Sequence, residues 1–361
     1  MAENSPIKAL HLIGSKKIAG AERAFFAILE SLQSIGINVE AGVRRSSELA
    51  RRAPAGLTVH ELGMHTVWDP FSKWEIGRLI AARSPDIVQT HMGRATRLTR
   101  LRGRQRPLHI AQLCGHYAVK NFRHADHWLA CTHWVADYLI AGGVPASRIH
   151  LIPNFIPEPQ PVSNQQIDEL RKICDLPKDA LTIAVIGRLV PVKGVDVLLK
   201  AFARLPAELD GRPLILVVAG DGRLRASLEA LAQSLAIDQR VRFIGWQRAP
   251  ESAFALADVI AFPSHRHEGF GLVILEAWAA RKPLVTTRAL GPAEITSHGE
   301  NALQVDCGDE EAMAAALLAL LNDPALAQRL AQQGRETFDS TYSEAVVARR
   351  YKDLYEELLG R

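Results

Sequence analysis

At 361 residues the chain is too long for one ordinary hydrophobic core, so its length points to two domains. Hydrophobic residues make up 48% and charged residues 23%, the balance of a soluble globular protein, and no run reaches the ~18–20 apolar residues of a membrane span. The net charge is only +4, but residues 1–160 carry 20 Lys and Arg against 12 Asp and Glu while the remainder carries 23 against 27; the first half is therefore the one suited to an anionic partner.

The N-terminus has an early acidic residue and too short an apolar core for a secretory signal, which places the expected protein in the cytoplasm. A strand over residues 8–13 runs into the loop GSKKIAGAER and a helix over 21–32. This is an open α/β phosphate site in outline, with Gly14 and Gly20 as its glycines and Glu22 able to hold the loop. It lacks the GxGxxG dinucleotide fingerprint, so an ordinary βα turn is the alternative. Strands follow at 39–43 and 57–62, then a segment whose Trp68, Phe71 and Trp74 are expected in the core, the alternative being exposure to a sugar or an interface. After a helix over 74–83, the buried strand in PDIVQTH delivers His91 to its carboxyl end. A strand over 108–113 delivers Cys114, Gly115, His116 and Tyr117 to the same edge, where open parallel sheets bind ligands. Between them Arg94, Arg97, Arg100, Arg102, Arg104 and Arg106 form a dense cationic stretch. It suits acidic lipid head groups or a phosphorylated acceptor, with a solvated face as the alternative; no nucleic-acid-binding signature accompanies it. A strand at 127–130 and a helix at 132–141 complete the first half.

The proline-punctuated PNFIPEPQPVSNQQ has the composition of an interdomain linker. We therefore expect a first domain over 1–160, a linker over 161–178, a second domain over 179–340 and a closing segment over 341–361. In the second domain, strands at 181–186, 214–219, 241–244, 259–262 and 284–287 alternate with helices at 195–204, 224–235, 252–257 and 309–321. Continuous Val, Ile and Leu runs of this kind belong to parallel sheets covered on both faces. Four cysteines, Cys114, Cys131, Cys174 and Cys307, show neither metal spacing nor a disulfide framework.

Two stretches carry the chemistry. In GRLVPVKG, Arg188 and Lys193 follow a strand and precede a helix, so a planar guanidinium fork and a compact ammonium can both face phosphate oxygens. The spacing is not that of a Walker loop, and a solvated basic loop is the alternative. In PSHRHEGFGLVILEAWAA, a helix starting near Gly271 leaves the amides of Gly269, Phe270, Gly271 and Leu272 at the positive end of a dipole. Glu276 falls on an apolar stripe of that helix, where a carboxylate needs donors such as the vicinal hydroxyls of a ribose. The alternative is that Glu276 pairs with a nearby cation and Glu268 merely ends a loop.

The order GRLVPVKG, AGDGRL, VRFIGW, PSHRHEGFGLVILEAWAA and HGENALQV, with GPAEI between the last two and GAER and the PNF linker in the first half, resembles glycosyltransferase family 4. These are retaining enzymes of the GT-B fold. The resemblance implies an α/β protein of two doubly wound Rossmann-like domains facing each other across a cleft, with a terminal helix crossing back to the first domain. It implies that Arg188 and Lys193 hold the diphosphate of a UDP-type nucleotide sugar, Glu276 the ribose and Glu268 the donor sugar. The amides of residues 269–271 would meet phosphate and sugar, and the loop over 14–20 would close over the diphosphate. Neither a cofactor nor a metal is expected, because the two cations offset the charge on the leaving group. Where relatives carry a histidine in a T-x-H-G stretch this chain reads QLCGHY, with Cys114 in that place; His116 either substitutes or the sugar is held without a histidine. WDPFSKW and QTHMGRATRLTR are similar to bacterial enzymes that extend lipopolysaccharide. That implies an anionic glycolipid or glycan acceptor met by His91, Arg94 and Arg97, and a peripheral position at the cytoplasmic face of the inner membrane. A GT-B epimerase and a non-catalytic sugar-nucleotide-binding protein remain the competing readings; a nicotinamide dehydrogenase is disfavoured by the missing fingerprint.

Overall fold

The computed structural model describes residues 5–16, 20–103, 105–113, 118–247 and 249–361. Two compact units result, one formed by Met1–Pro157 with Tyr342–Arg361 and the other by Glu158–Thr341. Each is an α/β unit on its own parallel sheet.

The first sheet contains β1 (Lys8–Ile13), β2 (Asn38–Arg44), β3 (Thr58–Leu62), β4 (Ile87–His91), β5 (Leu108–Leu113), β6 (His127–Ala130) and β7 (Ile149–Leu151), ordered β3-β2-β1-β4-β5-β6-β7. The period of two along β1 decides which residue serves which face. Ala9 and Ile13 pack under the helices Gly20–Ser34 and Glu344–Leu359, while Leu10 and Leu12 pack under Pro70–Arg83 and Met92–Leu98. Because both faces are covered, the polar residues that interrupt these strands, such as His11, Gln89, Thr90 and Gln112, are buried as well and must find partners inside the unit.

The second sheet contains β8 (Leu181–Ile186), β9 (Glu208–Leu209), β10 (Arg212–Ala219), β11 (Val241–Gly245), β12 (Val259–Phe262), β13 (Leu284–Thr287) and β14 (Leu303–Val305). Its parallel order is β11-β10-β8-β12-β13-β14, with β9 antiparallel on β10. Trp278, fully buried, donates its indole N–H to the Asn301 carbonyl at 3.0 Å, and Gly334 leaves room for the ring. In both sheets the strand order reverses once, between β1 and β4 and between β8 and β12, and such switch points are where open sheets accept ligands. Among the described residues no helix is long and apolar enough to cross a membrane.

Three aspartates fix the other edge of these sheets. Asp86, Asp126 and Asp258, each just before a strand, accept the backbone N–H of Lys8, His109 and Thr182 on the neighbouring strand at 2.9, 2.9 and 2.7 Å. Asp126 also takes both guanidinium nitrogens of Arg106, each at 2.6 Å. Burial opposes ionisation of Asp126, but Arg106 and the His109 N–H outweigh it and hold the carboxyl below its usual range.

The terminal helix is a core element of the first unit. Val347, Tyr351, Leu354 and Tyr355 join Phe25, Leu29 and Leu32 in one cluster, and Ser31 donates its hydroxyl to Glu344. Tyr355 also reaches a buried polar chain under β1 and β4. One proton arrangement satisfies it: His91 Nε2 donates to His11 Nδ1 at 3.0 Å and His11 Nε2 to the Tyr355 oxygen at 3.1 Å. The Tyr355 hydroxyl then donates to Gln89 Oε1 at 2.6 Å and Gln89 Nε2 to Gln112 Oε1 at 2.9 Å. Burial pushes His11 down to about 3, so the imidazole stays neutral and can keep this single direction.

Three expectations change. Trp68, Phe71 and Trp74 are not core; they are 70%, 77% and 58% exposed. The inward positions of helix Pro70–Arg83 are instead Ser72, Ile76 and Ile80. The stretch expected to be a linker holds the helix Asn164–Ile173, closed by a capping box between Ser163 and Gln166. The terminal helix, whose resemblance covers 349–359 in the sequence, starts earlier, at Glu344.

Replacing Tyr355 by Phe strands the Gln89 oxygen and the His11 N–H without water, so urea denaturation is expected to show a loss of about 1–3 kcal/mol. Asp126→Asn is expected to cost about 1–2 kcal/mol near neutral pH. The folded carboxyl titrates below its unfolded value near ~3.9, so the wild-type advantage is present above that pH and fades as acid takes it through the folded value. A difference that does not narrow with acid rules this account out.

Candidate active site

The switch point of the second sheet is assembled by close backbone contacts. After β8 the chain passes Gly187 and Arg188, forms a 3-10 turn over Pro191–Lys193, and enters the helix Val195–Ala203 through Gly194. Gly194 has φ +60°, and a Cβ there would lie 2.0 Å from the Pro263 carbonyl oxygen. No other residue both takes this conformation easily and lets the loop after β12 lie so close. His265 N–H then donates to the Val192 carbonyl at 2.8 Å, joining the two loops. The turn after β10 supports them from below: Leu189 N–H reaches the Asp221 carbonyl at 2.9 Å, and a Cβ on Gly220 would sit 1.8 Å from the Gly187 oxygen. From the far side Gly291 N–H donates to the Glu268 carbonyl at 2.9 Å and packs on the Gly269 peptide.

This scaffold brings together most of the side chains singled out in the second half. Lys193 Nζ meets Glu268 Oε2 at 2.6 Å, with only 18% and 14% of the two side chains exposed. Ser264, wholly buried and unnoticed in the sequence, donates to the same carboxylate oxygen at 3.2 Å. Lys193 also lies 5.1 Å from the centre of the Phe262 ring. Arg188 is exposed and, among the described residues, its guanidinium has no hydrogen-bonding or ionic partner; with Lys193, Phe262 and Ser264 it lines one recess. Helix Leu272–Ala279 starts one residue past Gly271, which has φ +95°, and no side chain caps it.

Glu276 does not line that recess. It stands four residues beyond Leu272, roughly 6 Å along the helix axis. The stripe it shares with Leu272 and Ala280 is the half-buried line of the helix, whereas Val273, Ile274, Leu275, Ala277, Trp278 and Ala279 face the interior. Glu276 is thus half-buried between the apolar neighbours that its spacing indicated.

In the first unit, Gly14 follows β1 at the switch point. Its carbonyl accepts from Arg94 Nη1 at 3.2 Å, and the Arg94 stem packs against its Cα. Arg94 reaches the Met64 carbonyl as well, at 3.3 Å, and burial followed by the Arg44 charge lowers its pKa. It braces this edge as well as carrying charge. Gly20 opens the helix Gly20–Ser34. His91, expected at the acceptor-facing edge, is turned inward: it is buried, bonded to His11, and meets the Phe25 ring edge-on at 4.9 Å. Burial keeps its pKa well below the ordinary value, and repulsion from His11 further opposes protonation of both rings together. Arg97 stacks 3.6 Å from the centre of the Trp68 ring and donates to Asn121 at 3.2 Å. Cys114, His116 and Arg104 lie outside the described residues. Among the described residues no group of three or more His, Cys, Asp or Glu could hold a metal ion.

Comparison with known proteins fits this edge-of-sheet chemistry. Residues 166–337 match the model for glycosyl transferases group 1, and residues 18–158 match that for glycosyltransferase family 4. The lipopolysaccharide core biosynthesis glycosyltransferase LpsD of Rhizobium meliloti is 30% identical over 97% of this chain and 98% of its own. The chain belongs to this glycosyltransferase family. LpsE of the same organism, also described as a lipopolysaccharide core biosynthesis glycosyltransferase, is 31% identical over 94% of this chain and 96% of its own. The fold is GT-B, shared with the Anabaena protein HepE in its complex with UDP and glucose, at a TM-score of 0.80 and 19% identity over 96% of this glycosyltransferase and 99% of that chain.

Gly194→Ala in this glycosyltransferase tests the loop scaffold. The added methyl drives the Pro263 loop away and separates Lys193 from Glu268, so we expect a stability loss of about 1–3 kcal/mol by denaturation. Pro191→Ala, at an exposed position on the same turn, should cost under about 1 kcal/mol.

Proposed function

We propose that the chain is a retaining, metal-independent transferase that moves a hexose-like sugar from a UDP-type nucleotide sugar to a glycolipid or glycan acceptor in lipopolysaccharide or other surface-glycan biosynthesis. The observation that carries the reading is the recess where Arg188, Lys193 and Ser264 meet, with Glu268 hydrogen-bonded to the last two. Relatives named for lipopolysaccharide core synthesis, aligned over nearly their whole length, support the pathway.

In this reading the donor diphosphate displaces Glu268 from Lys193, and the ammonium and the Arg188 guanidinium take its oxygens. The freed Glu268 accepts hydrogen bonds from the sugar hydroxyls. The amides of residues 269–272 add the positive end of a helix. Glu276, on its half-buried line, accepts from the two ribose hydroxyls. As the bond between the anomeric carbon and the diphosphate oxygen breaks, charge grows on the diphosphate where the two cations already stand, which is where fixed charge lowers the barrier most. The acceptor oxygen bonds to the same face of the anomeric carbon, and its proton passes to the departing diphosphate. Configuration is retained without an enzymic nucleophile. The acceptor itself is expected at the cytoplasmic face of the inner membrane, on the cationic first unit.

Thermal shift against UDP and UDP-sugars, followed by an assay of UDP release with and without acceptor lipid, tests this. Lys193→Met should lower kcat about 10²–10³-fold. Glu276→Gln should act mainly on the donor KM, raising it about tenfold or more for one charge-assisted hydrogen bond. Release of an altered sugar nucleotide without acceptor would instead identify an epimerase, and an inverted anomeric centre in the product would falsify the retaining mechanism.

A further inference from the structure

On the first unit the exposed apolar surface is concentrated. Of the large hydrophobic side chains that stand exposed, Trp68, Phe71 and Trp74 fall within seven consecutive positions. Phe71, Trp74 and Arg78 share one face of helix Pro70–Arg83 by their spacing, with Arg78 held 4.8 Å from the centre of the Trp74 ring. Arg97 covers Trp68 in the same way. Further along that helix Gly77 and Ala81 form one wall of a groove of about 560 Å³, whose other wall carries Arg100, Arg102 and Arg106. Gly77 and Arg78 follow Trp74 by one helical turn, so the aromatic face and the arginine-lined groove adjoin along this helix.

The ionic bookkeeping of this surface is one-sided. Its carboxylates are all used internally. Asp69 caps the helix and accepts from Ser72 at 2.5 Å. Glu75 binds Arg45 at 2.8 Å and the Gly63 N–H at 2.7 Å, and Asp86 binds the Lys8 N–H and Arg361. Among the described residues Lys73, Arg78, Arg97, Arg100 and Arg102 form no salt bridge. A sugar platform needs carboxylates or amides beside its rings to meet hydroxyls. Here what stands beside the rings is positive charge, and indole rings flanked by cations match the boundary between head groups and acyl chains.

We propose that Trp68, Phe71 and Trp74, with Arg78, Arg97, Arg100 and Arg102, form the surface by which this protein docks on an anionic phospholipid bilayer. The rings enter the interface and the guanidinium groups meet the lipid phosphates. Neither interaction suffices alone, since a few aromatic side chains or a few cations bind membranes only marginally, and together they give stable but reversible attachment. The surface deepens the reading of a membrane-borne acceptor and rests on it for its purpose, though its test needs no donor.

The test is co-sedimentation of the full chain with vesicles of phosphatidylcholine, alone or with an equal part of phosphatidylglycerol. Binding is expected only with phosphatidylglycerol and should weaken with salt. The variant Arg97→Gln/Arg100→Gln/Arg102→Gln should lose about 100-fold in partitioning. Trp68→Ser/Phe71→Ser/Trp74→Ser should lose at least tenfold, along with the quenching of tryptophan emission by lipids brominated on their acyl chains. All these positions except Arg97 are solvent-exposed or on the groove rim, and unchanged circular dichroism melting confirms folding of both variants. The UDP thermal shift should survive in both, so a failed donor reading and a failed docking surface are told apart. Equal binding to both kinds of vesicle, unaltered binding by either variant, or an aromatic variant that keeps vesicles but loses a lipid-free oligosaccharide would each overturn the proposal.

Discussion

Four loops at the carboxyl edge of the second sheet touch backbone to backbone, and the candidate chemistry depends on that contact. Gly194 on Pro263, Gly220 on Gly187 and Gly291 on Gly269 leave no space for a Cβ. Such contacts fix the loops without spending side chains on the purpose, which leaves Arg188, Lys193 and Glu268 free to project from a rigid base. The consequence is a site whose Cα positions are set by backbone packing, and electrostatic stabilisation works best with that kind of prior ordering.

The Lys193–Glu268 pair sharpens this point. A lysine and a glutamate this enclosed neutralise each other, and with Ser264 bonded to the carboxylate neither charge is left stranded. An anion that reaches the lysine must compete with that carboxylate, so discrimination against weak anions is built into the pair. In the proposed reading Arg188, exposed on the rim, meets the donor phosphate before the exchange at Lys193.

The alternation of strand and helix was legible in the sequence because buried parallel strands read as runs of Val, Ile and Leu, and five of the seven strands of the second sheet could be placed that way; the short β9 and β14 are too brief to show the pattern. The glycines and charges of GRLVPVKG and of the glutamate helix were legible too, since few other arrangements need them. What misled was polarity. In helix Pro70–Arg83 the inward position Ser72 is polar, satisfied by donating to Asp69 and accepting from the Met64 N–H, while the outward positions are aromatic, so the usual inside-outside reading inverts. The Ser163 to Gln166 capping box was present in the letters but hidden within a polar, proline-rich run, and the helix it opens buries only Leu170. The arginine stretch was read as one surface, yet Arg106 is tied to Asp126 and Arg94 to two carbonyls, contacts set by tertiary neighbours that no local pattern encodes.

The first unit is discontinuous, closed by a helix that arrives 184 residues after the rest of it. During synthesis the stretch Glu158–Thr341 emerges whole and can fold at once. The earlier segment must wait on the ribosome with Phe25, Leu29 and the His11 chain uncovered until Val347, Tyr351 and Tyr355 are made. Vectorial translation therefore reverses the expected order of maturation: the portion written first is finished last, and chaperone dependence should concentrate there.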